Sequence, residues 1–315
     1  MIISASRRTD IPAFYSEWFM RRLHEGYVLV KNPFNTKQIS RVSLRPEDVE
    51  CFVFWTKNAA PMLRYIDELR ELPCYFQFTI TPYGRDVEPQ LPPKAEVMRT
   101  FQQLSEALGA GRVIWRYDPI LLTARHTVEW HMEQFTAMLE QLAPYTDCCV
   151  FSFLDMYQKT ERNTRALGLE EIGGEQMARL AAHMAAACQA QGITLQSCSE
   201  AIDLAAYGIE HGACIDKQRI ERVAGYPIKV KKDATQRGTC GCMKSVDIGA
   251  YNTCQHLCRY CYANFNDKLV QAHCAGHDDA SPLLTGNIPP GARVTDRRVE
   301  HLRDEAAAIS ELSLF

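Results

Sequence analysis

The run Cys51-Phe-Val-Phe-Trp-Thr-Lys-Asn58 carries the reading of the fold. Five apolar residues in succession do not alternate with polar ones, as they would in a strand with one wet face. Such a run suits a strand buried on both sides, in a parallel sheet covered by its own crossover connections. Comparable runs occupy residues 2–6, 74–81, 112–117, 148–154 and 193–197. Between them, helical spacing predicts helices over 12–24, 61–72, 94–108, 128–142 and 174–191, most of them bounded by Pro or Gly. The rhythm is βαβα, and no glycine-rich phosphate turn follows the first strand. An α/β fold of the TIM-like (β/α) barrel type is therefore expected over an open doubly wound sheet.

Two segments break the rhythm. Tyr27-Val-Leu-Val30 and Ile39-Ser-Arg-Val-Ser-Leu44 flank the turn signal Asn32-Pro-Phe-Asn35, which predicts an added hairpin near 27–44, a lid or rim element. A Pro- and Gly-rich stretch at 282–291 precedes a predicted helical tail over 297–312. The domain reading is a barrel body at 1–245, then a final strand, a cysteine loop and a capping tail at 246–315, all one compact unit.

In these 315 residues, 46% hydrophobic and 23% charged residues match ordinary globular usage and exclude a disordered or fibrous chain. The net charge of −3 supplies no general basic field for nucleic acid or anionic membrane. No run of 18 apolar residues occurs, and Arg7-Arg8 follow a short apolar scrap instead of preceding an apolar stretch. The expectation is a cytoplasmic protein without a membrane partner.

Each apolar run ends in polar residues, and in a βα barrel those ends gather at one mouth, where active sites form. Arg7, Asp10, Lys57, Arg116, Asp118 and Glu200 are the candidate catalytic residues on this ground, and Asn58 is a candidate cofactor contact. Three cations with three carboxylates suit a small polar or anionic group. A plainer alternative stands beside this for each residue: Asp10 and Asp118-Pro119 as cap and turn formers, and Arg116 as the structural partner of Asp118.

Thirteen cysteines, an odd number, favour metal or redox chemistry over a disulfide framework. Residues 245–265 read SVDIGAYNTCQHLCRYCYANF and contain Cys254-x3-Cys258-x2-Cys261. Three thiolates in one short loop can take three corners of a 4Fe-4S cluster and leave the fourth iron open, whereas structural zinc prefers two close pairs. His256, inside the loop, reads as a solvent-facing spacer. Cys198, Cys214, Cys240 and Cys242 form a second candidate set. They could hold an auxiliary 4Fe-4S cluster or zinc, lend a fourth ligand to the first cluster, or be core cysteines.

The triplet, with aromatic Tyr260 just before its third cysteine, resembles the signature of the radical S-adenosylmethionine superfamily. The resemblance implies that Cys254, Cys258 and Cys261 bind a 4Fe-4S cluster and that Tyr260 packs near an adenine. It also implies that reductive cleavage of S-adenosylmethionine starts radical chemistry on a small-molecule or peptide substrate, with a cellular reductant such as flavodoxin or ferredoxin. In that superfamily the motif follows the first barrel strand, whereas here it stands near the C-terminus. A circularly permuted barrel reconciles the two, because a strand at 246–251 beside the strand at 2–6 would bring the cysteines to the same mouth as Arg7, Lys57, Arg116 and Glu200.

Ser-Arg-Arg-Thr-Asp-Ile-Pro, Phe-Trp-Thr-Lys-Asn and Cys-Gly-Cys make nearly the whole chain similar to an uncharacterised bacterial family, number 1848 in the domain-of-unknown-function series. Arg116-Tyr-Asp-Pro-Ile120 is faintly similar to spore photoproduct lyase and its relatives, the one thread toward a nucleic-acid repair lyase. A non-catalytic iron–sulfur protein for electron transfer or redox sensing is the other alternative.

Overall fold

The computed structural model describes residues 1–155 and 158–307. Eight strands form one sheet in the order β10-β1-β4-β5-β6-β7-β8-β9: β1 (Ile2–Ala5), β4 (Cys51–Thr56), β5 (Cys74–Thr79), β6 (Val113–Ile120), β7 (Cys148–Phe153), β8 (Thr194–Ser197), β9 (Glu210–His211) and β10 (Val246–Asp247). Every neighbouring pair is parallel. From β1 to β9 the chain steps outward one strand at a time and never reverses. With right-handed crossovers, that order puts all the connecting helices on one face, unlike a doubly wound sheet whose order reverses midway.

The core divides along those two faces. On one, Phe52, Phe54, Phe76, Phe78, Trp115 and Phe151 pack against the helices. These are α1 (Ile11–Phe14), α2 (Ser16–Glu25), α3 (Ile66–Glu71), α4 (Lys94–Leu108), α5 (Val128–Leu142) and, beyond the short α6 (Gln158–Thr164), α7 (Gly174–Ala190). On the other, Cys51, Val53, Tyr75, Ile114 and Val150 meet Cys214, Ile215, Ile220 and Cys242. The chain around α8 (Lys217–Ala224) thus folds back over the second face of the sheet. This double coverage is why the strands read as unbroken apolar runs.

β2 (Tyr27–Asn32) and β3 (Asn35–Ser43) form the expected antiparallel hairpin, and β11 (Arg293–Asp296) adds a parallel strand to its edge. That strand lies just ahead of the predicted tail helix, of which residues 297–304 are not helical. Residues 293–296 are exposed, and the open edge of β3 offers them unpaired backbone groups. Arg297 N continues the pairing by donating to the Arg41 carbonyl. The last part of the predicted helix, 308–312, lies outside the described residues. The predicted helix over 12–24 is broken at Tyr15, which leaves helical geometry and donates its hydroxyl to the Thr253 carbonyl at 2.6 Å. α9 (Asp267–Ala275) follows the cysteine loop.

The predicted strand at 246–251 shortens to Val246 and Asp247, paired with Ile3 and Ser4 of β1. It stops because Gly249 passes against Ser6, where a Cβ would stand 2.1 Å from the serine hydroxyl. The chain turns there into the cysteine loop. No helix among the described residues is long and apolar enough to cross a membrane.

Candidate functional site

One cavity of about 1280 Å³ opens where the strands end. Arg7, Asp10, Lys57, Arg116 and Asp118 line it, together with Cys254, Cys258, Tyr260 and Cys261, and so do Cys198, Cys214, Cys240 and Cys242. The hairpin contributes residues 29–34 and Thr36 to its rim, among them Phe34, which is 97% exposed. Arg7 and Cys261, 254 positions apart in the sequence, therefore meet at one place.

Two of the expected residues stand elsewhere. Asn58 does not line the cavity, and its carboxamide oxygen accepts the Ala60 N–H to cap the turn that follows. Glu200 is also outside the lining. Its carboxylate accepts the Phe153 N–H at 2.9 Å, and burial, with Asp155 and Cys198 adding repulsion, pushes its pKa up to about 7.

The cysteine loop is held at the mouth by three tethers. Asp10 is the first. One of its oxygens caps α1 through the Ala13 N–H at 3.0 Å, and the other accepts the Lys57 N–H at 2.7 Å and contacts His256 Nε2 at 2.8 Å. His256 is thus not the solvent-facing spacer its sequence setting suggests: it is 2% exposed and packs against Phe14. Tyr15, reaching Thr253, is the second tether. The third is residues 87–88, where the Val87 carbonyl accepts the Arg259 N–H and Glu88 accepts the Tyr260 hydroxyl.

Glu88 also binds Lys57, Lys94 and the Thr81 hydroxyl, and it is fully buried. Burial raises its pKa, but Lys57 and Lys94 outweigh that and hold it down to about 2. The ion pair fixes the Lys57 ammonium 5.4 Å from the centre of the Tyr260 ring. Lys57 also opposes the effect of burial on Cys258, whose thiol burial pushes up to about 12. Neither Glu88 nor Asp247 was legible as a site residue. Asp247 accepts from the Ser4 and Ser6 hydroxyls and from the backbone of Arg7 and Gly249, so it orders the whole β1–β10 junction.

On the far wall, Arg116 donates to Asp118, to Gln77 at 3.1 Å and to the Cys214 sulfur at 3.0 Å. Asp118 also accepts the Ser152 hydroxyl. The structural pairing of Arg116 with Asp118 and their place on the cavity wall coexist. Arg7 differs: its guanidinium lies over the Trp55 ring at 5.4 Å, and its buried Nε and Nη2 find no hydrogen-bond partner. Thr9 Oγ1 and His256 Nδ1, also on the cavity lining, are buried without partners too. Tyr83 and Tyr117, by contrast, are buried in an aromatic cluster with His131 and are part of the core.

Among the described residues, no three His, Cys, Asp or Glu side chains close around a single metal ion. All thirteen cysteines are free thiols. The triplet and the second set draw on different surroundings: burial dominates at Cys254 and Cys258, and after it their charged neighbours include Asp10, Lys57 and Glu88. The sulfurs of the second set contact one another, Cys198 to Cys214 at 3.5 Å.

Residues 2–263 match the family described as a domain of unknown function (DUF1848). No curated protein and no solved structure matches the chain.

Proposed function

Because the chain belongs to the DUF1848 family, whose description assigns no activity, we propose a function from its own geometry: an iron–sulfur enzyme of the radical S-adenosylmethionine type. The observation that carries this reading is that Cys254, Cys258 and Cys261 share one cavity with Arg7, Asp10, Lys57, Arg116 and Asp118. The sheet is read as the wall of a permuted barrel, with β10 in the place of its first strand.

The donor set suits the cofactor. Three soft thiols on one loop, with no carboxylate among them, favour iron–sulfur over a hard cation. His256 Nδ1 and Thr9 Oγ1, buried at the lining without partners, leave polar capacity for a bound ligand. A reduced cluster with one open iron would supply the electron that breaks a sulfonium carbon–sulfur bond.

The chain's own residues do the positioning. Asp10 and His256 fix the loop, and Glu88 sets Lys57 beside Cys258, where a fixed cation favours the thiolate that metal binding requires. Trp55 and Tyr260 supply aromatic surface on the lining. A cavity this size has room for a cofactor and a small-molecule or peptide substrate together. A cellular reductant such as flavodoxin or ferredoxin would complete the cycle. The net charge disfavours the nucleic-acid repair reading.

Iron and sulfide analysis of protein purified without oxygen tests this. Full iron at the triplet in wild type, lost in Cys258→Ala, supports the assignment; a Cys258→Ala protein with unchanged iron means that these are not the ligands.

A further inference from the structure

Four thiols outside the triplet converge from separate parts of the chain. Cys198 follows β8, Cys214 lies between β9 and α8, and Cys240 and Cys242 flank a glycine further on. Cys198 Sγ is 3.5 Å from Cys214 Sγ, the Ile215 N–H next to Cys214 donates to the Cys242 sulfur at 3.5 Å, and all four cysteines line the same cavity. Gly241 permits the approach, since a Cβ there would press to 3.3 Å on the Gly212 carbonyl. Cys214 and Cys242 pack under the sheet, with Cys198 and Cys240 against them, and all four also face one cavity, where a ligand can reach them.

The second observation is independent of the sulfurs. A guanidinium keeps its charge in any protein setting, and a buried one without a partner is costly. Arg7 is in that position: two of its nitrogens are buried and unbonded. It lines the same cavity as Cys214 and Cys242. Arg116, already shared with Asp118, touches Cys214 as well. Neutral thiols give these cations no counter-charge. Four thiolates around a dication carry two net negative charges, as do four thiolates on an oxidised 4Fe-4S cluster.

We propose that Cys198, Cys214, Cys240 and Cys242 form a second, tetrathiolate metal centre, separate from the triplet, with Arg7 and Arg116 as its counter-ions. The ligand is a thiophilic metal, either zinc or an iron–sulfur cluster. As they stand the four do not enclose a single ion, so binding draws their sulfurs together. Each bound thiol releases its proton to solvent.

The test is metal analysis of the full chain purified without oxygen, as wild type, Cys198→Ser/Cys240→Ser and Cys258→Ala, with circular dichroism to confirm folding. If the second centre is a cluster like the first, the double variant loses about half of the iron; if it is zinc, the double variant loses the zinc and keeps the iron. Either loss supports the site and identifies its metal. Cys258→Ala should leave that centre filled, which separates this proposal from the triplet assignment. Unchanged metal in the folded double variant overturns it, and so does loss of both centres in Cys258→Ala. Should the double variant not fold, wild-type protein decides: half-buried Cys240 should react with iodoacetamide only after a chelator strips the metal, and equal reactivity before and after would refute the site.

Discussion

Replacing Glu88 with Gln tests whether the site's charge network is arranged as described. Glu88 is fully buried and faces two cations, with side-chain exposures of 14% for Lys57 and 26% for Lys94. Gln keeps the shape and can still meet Tyr260 and Thr81, but both ammoniums lose their counter-charge. Breaking a buried pair typically costs about 3–5 kcal/mol. Lys94 can turn its head toward water, which brings the expected loss to about 3 kcal/mol. The two lysines are not equivalent. Burial acts on both, yet Glu88 raises the pKa of Lys57 overall, while the pKa of Lys94 stays lowered because Lys57 repels it as well. Lys94→Met therefore leaves a balanced Lys57–Glu88 pair and should cost no more than about 1 kcal/mol. Adding it to Glu88→Gln should recover part of the loss, a coupling that a double-mutant cycle measures. Urea denaturation at pH 7.5 reads all three variants. A Glu88→Gln protein within about 1 kcal/mol of wild type, or a Lys94→Met loss equal to it, would refute the argument.

Other outcomes follow from the same contacts. Asp10→Ala removes a helix cap and leaves the Lys57 N–H and His256 without their acceptor, so stability should fall by about 3–5 kcal/mol; iron content should drop with it, and a stable variant with full iron would show the tether to be idle. Burial, with His126 adding to it against the Leu121 carbonyl, depresses His131 to about 4 from the ordinary 6.5. A base with a lowered folded pKa contributes fully above pH 6.5 and loses that contribution as pH falls toward 4, at most about 3 kcal/mol. Thermal melts between pH 7 and pH 4 should show this slope, weaker in His131→Gln; an unchanged slope in that variant would exonerate His131. Gly249→Ala drives a methyl into the Ser6 hydroxyl and should destabilise by about 1–3 kcal/mol while releasing metal, both measurable on one preparation.

The parts of the fold that could be read from sequence were those where one physical rule dominated. Helices α4 and α5 run over the residues their periodicity predicts, 94–108 and 128–142, because one apolar stripe packs on the sheet and polar residues cover the rest. The hairpin was legible from its turn residues. Elements failed where distant groups decided the outcome. The helix at 12–24 breaks to send Tyr15 to Thr253, and the tail predicted as helix from 297 begins without one, its Arg297 N–H bonded to the Arg41 carbonyl of β3. Neither partner is near in sequence. For the site, strand ends located Arg7, Lys57, Arg116 and Asp118 on the cavity, since strand position alone determines where they emerge. Glu88 and His256 could not be found that way. Glu88 lies in a loop with no motif, and His256 looked solvated until Asp10, 246 residues away, was found beside it. Asn58 and Glu200 sit at strand ends as expected, but the backbone N–H groups of Ala60 and, from the neighbouring strand, Phe153 claim their side chains.

The most direct test of the account is electron paramagnetic resonance on protein purified without oxygen and reduced with dithionite, recorded before and after addition of S-adenosylmethionine. Cys258→Ala serves as the control that isolates the triplet from any second centre. The account predicts a reduced-cluster signal that shifts when S-adenosylmethionine is added and is missing from Cys258→Ala. A triplet-dependent signal that ignores S-adenosylmethionine, or no such signal at all, would contradict it.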